Sequence, residues 1–480
     1  MVRLKPDPTY EVSKPDATYE SSKLDPTHDI STADVVIVGA GAAGIATAIF
    51  IRRTNPARSV LLLDGARKPG AKILVSGGAR CNVTNRVVSD RDFWGGRRTL
   101  IRRVLRAFTA GDAVRFFETL GVTVHEEADG KLFPDTNRSR DVLTALLRGV
   151  DSEGVQLLSD HRVLDVCAAA AVGTPSRRAG PFGPAGEAES AGPGLRPNPI
   201  GADDGFTVVT ARGAIGCQCV VLATGGESLP KTGSDGAGFQ FAQRLGHTIV
   251  PTTPALVPLV LDEAAGASIH RELSGVSHPV ALHLWIDGRI AERQEGSMLW
   301  THFGISGPAA LNMSRHWLRA QRDGRTPTLT ASLSPSNSFA RLDAQWTAAA
   351  AARPKSSLLA ALSAHVPGSV AAAMLKRLQI DEAHELAHVT RDERRRLVHA
   401  LVEWPLPVTG CRGYNYAEAT AGGVSLDEIN PATMESRRCP GLYLVGEMLD
   451  VDGRIGGFNF QWAWSTAFVA GQALAAGHRM

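Results

Sequence analysis

The sequence predicts an α/β protein: a Rossmann-like nucleotide-binding domain in two sequence segments, with a different domain set between them. Three observations carry this. Near the start, a hydrophobic strand runs into a glycine turn, VVIVGAGAAG (35–44). Near the end, a second glycine-rich turn, GEMLDVDGRIGGFNFQW (446–462), runs from a strand into an apolar helix. Between them the pattern changes, first to strands and then to helices, before strand-like sequence returns. Two glycine turns at opposite ends of a 480-residue chain suggest one long cofactor gripped by both, and FAD is the leading candidate.

The first segment opens with DVVIV (34–38), a buried strand. Gly39 begins the turn, residues 42–53 fit a helix, and SVLLLD (59–64) forms the next strand, a βαβ unit of the length a dinucleotide fold requires. Gly39 permits the tight turn, Gly41 lets backbone approach a pyrophosphate, and Gly44 lets helix and strand pack closely. The helix start at Ala42 and Ala43 offers free N–H groups and a positive dipole end to phosphates. Asp64 closes the second strand, where its carboxylate can accept from an adenosine ribose. A loop dense in glycine, cations and amides follows, RKPGAKILVSGGARCNVTN (67–85), with Lys72, Ser76, Gly77, Gly78, Arg80 and Asn82 expected on the cofactor. Cys81 reads either as a thiol activated by Arg80 or as a packing or cofactor-contact residue.

The helix over 97–108 places Leu100, Ile101, Val104, Leu105 and Phe108 on one face, with arginines opposite. Those arginines read as a nucleic-acid surface or as a solvated face. Residues 168–205, rich in Ala, Gly, Pro and Ser, read as a flexible loop between strands near 163–167 and 206–210. CQCVVLAT (217–224) is a buried strand with Cys217 and Cys219 on one face, and ATGG after it places Thr224 and Gly225 at a strand-end turn or against the cofactor.

Residues 251–335 favour strands and loops, 336–405 helices, and strands return after 406. In the last turn Gly446 and Glu447 end a strand, where Glu447 can bind ribityl hydroxyls. Gly456 and Gly457 introduce a helix expected near Asn459. Its N-terminus, set at a flavin's pyrimidine edge, would stabilise the negative charge that builds there on reduction.

Composition narrows the class. Net charge is +3 and charged residues are 21% of the chain, so neither nucleic acid nor membrane is the expected partner. Six cysteines without a CxxC pair argue against a disulfide or zinc framework and suit a reducing, cytoplasmic setting. Neither a signal peptide nor an apolar run long enough to span a membrane is read. Residues 1–32 hold a degenerate nine-residue repeat, read as a disordered polar tail. HELAH (384–388) matches the zinc-hydrolase pattern. Against it, Thr390 and Glu393 form a potential capping box that starts a new helix just beyond, and no third ligand is evident, so no metal is expected.

Together, GAGAAG, KILVSGGARCNVTN (72–85), ATGG, MLWTHFGISGPAALNMS (298–314) and the long stretch 420–471 resemble the YhiN/BaiN-like bacterial flavoproteins, described as aminoacetone oxidases or bile-acid reductases. The resemblance runs from about residue 33 to the end. It implies an FAD domain of 33–250 plus 424–480 and an insert, 251–423, with a β-barrel-like part (251–335, rejoined by 406–423) and a helical part (336–405). It also places Ala43, Asp64, Lys72, Val163, Glu447, Asp450, Phe458 and Asn459 on FAD. The chain departs from the family in having Ala79 where a third glycine is usual and Asp64 where Glu is usual.

The expected activity is FAD-dependent oxidoreduction: hydride transfer between the flavin and a small organic substrate bound between the FAD domain and the insert. No second dinucleotide domain is visible. Either NAD(P)H visits as a transient donor, or the substrate reduces the flavin and oxygen reoxidises it. His302, as a proton donor or a structural histidine, and Arg454, orienting an anion or pairing with Asp452, are the candidate catalytic groups. A tRNA-modifying flavoenzyme and a flavin-binding regulator without turnover remain as alternatives.

Overall fold

A computed structural model describes residues 32–168, 205–263 and 269–477. The expected polar tail, apart from Thr32, and the 168–205 loop, apart from its two end residues, lie outside the described residues. In the first segment come β1 (Thr32–Val38), α1 (Ala42–Thr54), β2 (Val60–Leu63), α2 (Ala71–Ala79) and α3 (Arg98–Ala107). β3 (Gln156–Leu158), β4 (Val163–Ala168), β5 (Phe206–Thr210) and β6 (Gly213–Leu222) complete it. The insert holds β7 (Leu259–Leu261), β8 (Ser277–Ile286), β9 (Arg289–Thr301), β10 (Gly304–Ser306), α4 (Gly307–Arg322), β11 (Thr328–Ser332), β12 (Trp404–Leu406) and β13 (Val408–Cys411). The chain ends with β14 (Ala419–Val424), β15 (Leu442–Leu444), β16 (Val451–Gly453) and α5 (Phe458–Ala476).

The main sheet runs β3–β2–β1–β6–β5–β4, and β15 joins β6 on the side of its C-terminal half. β3, β2, β1, β6 and β15 are parallel, whereas β5 runs antiparallel to both of its neighbours, β6 and β4. Strands covered on both faces must be apolar throughout, and Val35–Val38 and Val60–Leu63 are buried at every position. Cys217 and Cys219 sit within this core, where burial pushes their thiols up to about 12 and about 11, so they are packing residues.

The last helix ties the two segments together. α5 is buried over most of its surface and uses its few polar groups as anchors. Trp462 Nε1 donates to the Gly446 carbonyl (3.2 Å), Thr466 Oγ1 accepts from the Gly446 N–H (3.0 Å), and Trp464 Nε1 donates to the Val83 carbonyl (2.9 Å). The C-terminal turn and the loop after α2 are therefore held from one helix.

The insert is a seven-stranded antiparallel sheet in the order β12–β11–β8–β9–β10–β7–β13. Its two end strands are consecutive in the chain, separated only by Pro407, so the sheet must curl until its edges meet. A proline suits the break, because it cannot donate to a ladder. Helices Phe339–Ala352, Leu358–Leu362, Gly368–Leu378 and Arg391–Val402 pack on it and share its separate core. A bidentate ion pair joins insert to FAD domain: Arg315 on α4 donates from Nε (2.6 Å) and Nη2 (2.9 Å) to Asp452 on β16, whose side chain is 1% exposed. This corrects one expected pairing, since Arg454 reaches Asp92 (3.5 Å) and Asp452 is occupied by Arg315.

Candidate active site

A cavity of about 530 Å³ opens where the C-terminal ends of β1, β2, β6 and β15 meet α2 and the turn before α5. Open α/β sheets bind ligands at this edge.

One wall is backbone. Gly39 has φ +105°, and a Cβ there would lie 2.6 Å from the Ala223 carbonyl oxygen. A Cβ on Gly44 would lie 1.9 Å from the Gly39 oxygen, so helix and turn touch directly. A Cβ on Gly41 would meet nothing within 4 Å, because Gly41 faces the cavity. Asp64 closes the turn: its Oδ2 accepts from the Ala40 N–H (2.8 Å) and its Oδ1 from the Ala66 N–H (2.7 Å). Burial raises the Asp64 carboxyl, against those two N–H groups and nearby Arg162.

The opposite wall is made of side chains. Lys72 Nζ donates to both Ser228 Oγ and Glu447 Oε2. Glu447 Oε1 accepts from Ser228 Oγ (2.7 Å) and from the Thr420 N–H (2.9 Å). Glu447, expected to face ribityl hydroxyls, is thus largely engaged by protein. Asn459 is similarly engaged: its side chain accepts from the Gly453 N–H (2.8 Å) and donates to the Gly453 carbonyl (3.0 Å), which locks the turn.

The rim is the loop after α2. Gly77, Gly78, Ala79 and Cys81 all have positive φ (55°, 67°, 65° and 62°). Ala79 adopts the left-handed conformation despite its Cβ, and such strain concentrates at ligand loops. Asn82 lines the cavity with a buried Oδ1 that has no hydrogen-bond partner.

Of the residues expected on the cofactor, Gly39, Gly41, Ala42, Ala43, Asp64, Lys72, Ser76, Gly77, Gly78, Arg80, Asn82, Val163, Thr224, Gly225, Gly446, Glu447, Gly457 and Asn459 line the cavity. Gly44, Cys81, Asp450 and Phe458 do not. Gly44 sits one layer behind. Cys81 is fully buried, and its thiol is pushed up to about 12, because desolvation outweighs any help from Arg80. Arg80 instead pairs with Glu127 (2.6 Å) and lies over the Phe133 ring. The activated-thiol reading of Cys81 is corrected accordingly. Phe458 packs edge-to-face on Phe93 and begins α5, one residue earlier than expected. Asp450 is buried behind Gly95.

Arg454 lines the cavity, whereas His302 is exposed on the insert and does not. HELAH lacks the required helix: Glu385 is extended and caps a single short turn, Leu386–His388. Among the described residues no group of three or more His, Cys, Asp or Glu is placed to hold a metal. Sequence reasoning missed Ser228, Thr420 and Glu418, for which no local spacing gives a signal.

The comparisons with known proteins fit this geometry. The family model described as "HI0933-like protein Rossmann domain" matches residues 33–174 and 199–473. The chain belongs to this family. It is therefore a flavoprotein reductase whose FAD-binding Rossmann domain is split by an inserted antiparallel sheet. A ribosomal RNA dihydrouridine synthase of Escherichia coli is 30% identical, over 92% of this chain and 98% of that protein. The synthase of the same name from Haemophilus influenzae is 29% identical over the same shares. A 3-dehydro-bile acid delta(4,6)-reductase of Clostridium scindens is 28% identical, again over 92% and 98%. Among the described residues no helix is long and apolar enough to cross a membrane.

Proposed function

We propose that the cavity holds FAD and that the protein reduces a carbon–carbon double bond conjugated to a carbonyl, the substrate being a uracil in RNA. The residues suit the cofactor. Gly41 and Gly78 leave cradles where a Cβ would meet no protein atom, and Asn82 Oδ1 lacks a protein partner. Gly39–Ala43 would take the pyrophosphate at the start of α1, Asp64 and Val163 the adenosine, and Lys72, Glu447 and the turn before α5 the ribityl and flavin end. When bound, the flavin supplies two-electron chemistry. The protein's residues position it, hold charge beside it and shut out water.

The reaction class rests on what the named reactions of the relatives share. Making dihydrouridine saturates the C5–C6 bond of uracil, conjugated to a ring carbonyl. A delta(4,6)-reductase of a 3-dehydro bile acid likewise reduces alkenes conjugated to a ketone. Both need a hydride at one carbon and a proton at its neighbour.

One surface favours RNA over a small enone. Arg454, on the cavity wall, pairs with Asp92, and two residues away Asp90 takes Arg102 on α3 (2.8 and 3.0 Å). α3 buries Ile101, Val104 and Leu105 and exposes Arg98, Arg102, Arg103 and Arg106. A basic face beside a recessed cavity suits a phosphate backbone whose target base is flipped inward. On this reading a nucleic acid joins the small molecules as a substrate, beyond the partners expected from net charge.

NAD(P)H or another two-electron donor would reduce the flavin as a transient visitor, since the described residues hold a single dinucleotide turn. The test is anaerobic: FAD-loaded protein is reduced, then mixed with unmodified ribosomal RNA or with an enone steroid. Reoxidation by RNA, weakening steeply as salt rises, is the expected result. Reoxidation by the steroid alone would replace RNA with a small enone, and reoxidation by neither would overturn the reaction class.

A further inference from the structure

We infer that Glu418 is the acid of this site: its carboxyl delivers the proton that completes reduction of the double bond. The inference rests on the reductase reading above and deepens it.

Glu418 begins the return from the insert, one residue before β14. Its side chain lines the cavity and is accessible to solvent, with protein atoms packed densely around it. Its backbone is fixed by an N–H donated to the Leu256 carbonyl (3.2 Å). On the same loop the Tyr414 carbonyl accepts from the Leu229 N–H (2.9 Å). Leu229 and Leu256 also line the cavity, and both have positive φ (53° and 52°). Two leucines held in a left-handed conformation are costly, and such strain gathers where a wall must be shaped for a ligand.

The charged groups around it are otherwise employed. Lys72 is the cation that acts on Glu418, but its ammonium is committed to Glu447 and Ser228. Glu447, the nearest acid of the opposite wall, is held by Lys72, Ser228 and Thr420. Glu227, behind the loop, accepts from Thr252 Oγ1 (2.6 Å) and interacts with Tyr414. Among the described residues none makes a hydrogen bond or ion pair with the Glu418 carboxyl. Desolvation therefore prevails over Lys72 and raises its pKa, which favours the acid form. Cys81, Cys217 and Cys219 are buried outside the cavity lining, and His302 is outside it too, so none of them competes for the role.

The step balances. The β-carbon of the conjugated alkene takes a hydride, with reduced FAD as the electron source. The π bond breaks, the Glu418 O–H bond breaks, and a C–H bond forms at the α-carbon. The carboxylate left behind recovers its proton from water entering as product leaves.

The test uses FAD-loaded Glu418→Gln. It should keep its flavin, bind substrate, and reoxidise roughly 10²–10⁴-fold more slowly, the usual span for removing a general acid. The infrared carboxylic-acid C=O band of the wild-type holoprotein at neutral pH should lose one component in the variant, a readout independent of turnover. Glu418→Asp should restore part of both the rate and the band. An unchanged rate, an unchanged band, or loss of FAD in both variants would overturn the assignment. Failure of wild-type reduced flavin to reoxidise with any conjugated alkene would instead sink the reaction class, so the two failures are distinguishable.

Discussion

The Gly39–Gly44 wall and the Lys72–Ser228–Glu447 wall enclose the same space with different materials. The first is a run of adjacent residues whose backbone makes the surface. Its shape follows from the absence of Cβ atoms, so it is fixed wherever those glycines fall after a strand. The second is assembled from side chains up to 375 positions apart, brought together by the tertiary fold. Damage to the first wall should therefore act on folding, and damage to the second on what the folded protein holds.

Gly44→Ala breaks the comparison hardest. Its Cβ would lie 1.9 Å from the Gly39 oxygen, and neither backbone can yield without opening the βαβ unit. A loss above ~4 kcal/mol is expected, enough to leave little folded protein. Gly41→Ala is the control on the same turn. Gly41 is extended (φ −84°, ψ −171°) and its Cβ would meet no protein atom, so the variant should fold with a near-native Tm and lose FAD affinity. Equal unfolding in both variants would show that the wall has no separate ligand face.

This contrast also explains how much was legible in the sequence. The βαβ unit, the split domain and the closing helix were readable because strand burial and glycine turns are local signals. Leu61–Leu63 and Val35–Val38 announce a doubly covered sheet without reference to anything else. The same holds for the inward arginine-free face of α3. Glu418, Ser228 and Thr420 were not readable, because each becomes functional only through a neighbour remote in sequence. Pairing with Asp452 was one of two readings of Arg454, suggested by proximity along the chain, whereas the fold supplies Arg315 from the insert. Of the two readings of Cys81 the structure keeps packing: Arg80 is adjacent in sequence, but its guanidinium turns to Glu127 and leaves the thiol in the core.

Asp452→Asn is the next largest effect and tests the joint between the two domains. Removing one partner of a buried ion pair typically costs ~3–5 kcal/mol, since Arg315 would keep its charge, its side chain only 11% exposed, without a carboxylate. A clear fall in Tm is expected, with the far-ultraviolet spectrum unchanged below it. A Tm within a degree of wild type would mean that insert and FAD domain are held by their apolar contacts and that this pair is incidental.

Lys72→Met should be milder and should fall on the cofactor. The variant keeps the aliphatic stem and deletes the ammonium, so Glu447 retains Ser228 and the Thr420 N–H but loses its cation. FAD affinity should weaken roughly tenfold, about 1.4 kcal/mol, read by flavin fluorescence on titration of the apoprotein. Thermal stability without FAD should hardly change, since the pair is partly open to the cavity. The reverse pattern, lost stability with intact affinity, would make this wall a folding element and erase its difference from the glycine turn.

The smallest effect is expected at HELAH, which matches a motif as GAGAAG does and differs in what the backbone does with it. A zinc helix needs both histidines on one helical face with the glutamate beside them. Here Glu385 is extended (ψ 143°), the helical turn starts after it, and Thr390 with Glu393 caps the next helix through reciprocal hydrogen bonds of 2.8 and 3.2 Å. That cap draws His384 towards Glu393 (4.0 Å), a carboxylate already committed to Thr390. Replacing His384 and His388 together by alanine should leave FAD content and hydride transfer unchanged and shift stability by no more than about 0.5 kcal/mol, as for ordinary surface positions. Elemental analysis of wild type and variant decides the matter: one zinc per chain in the first, absent from the second together with activity, would place the chemistry on the insert and not in the cavity between the two walls.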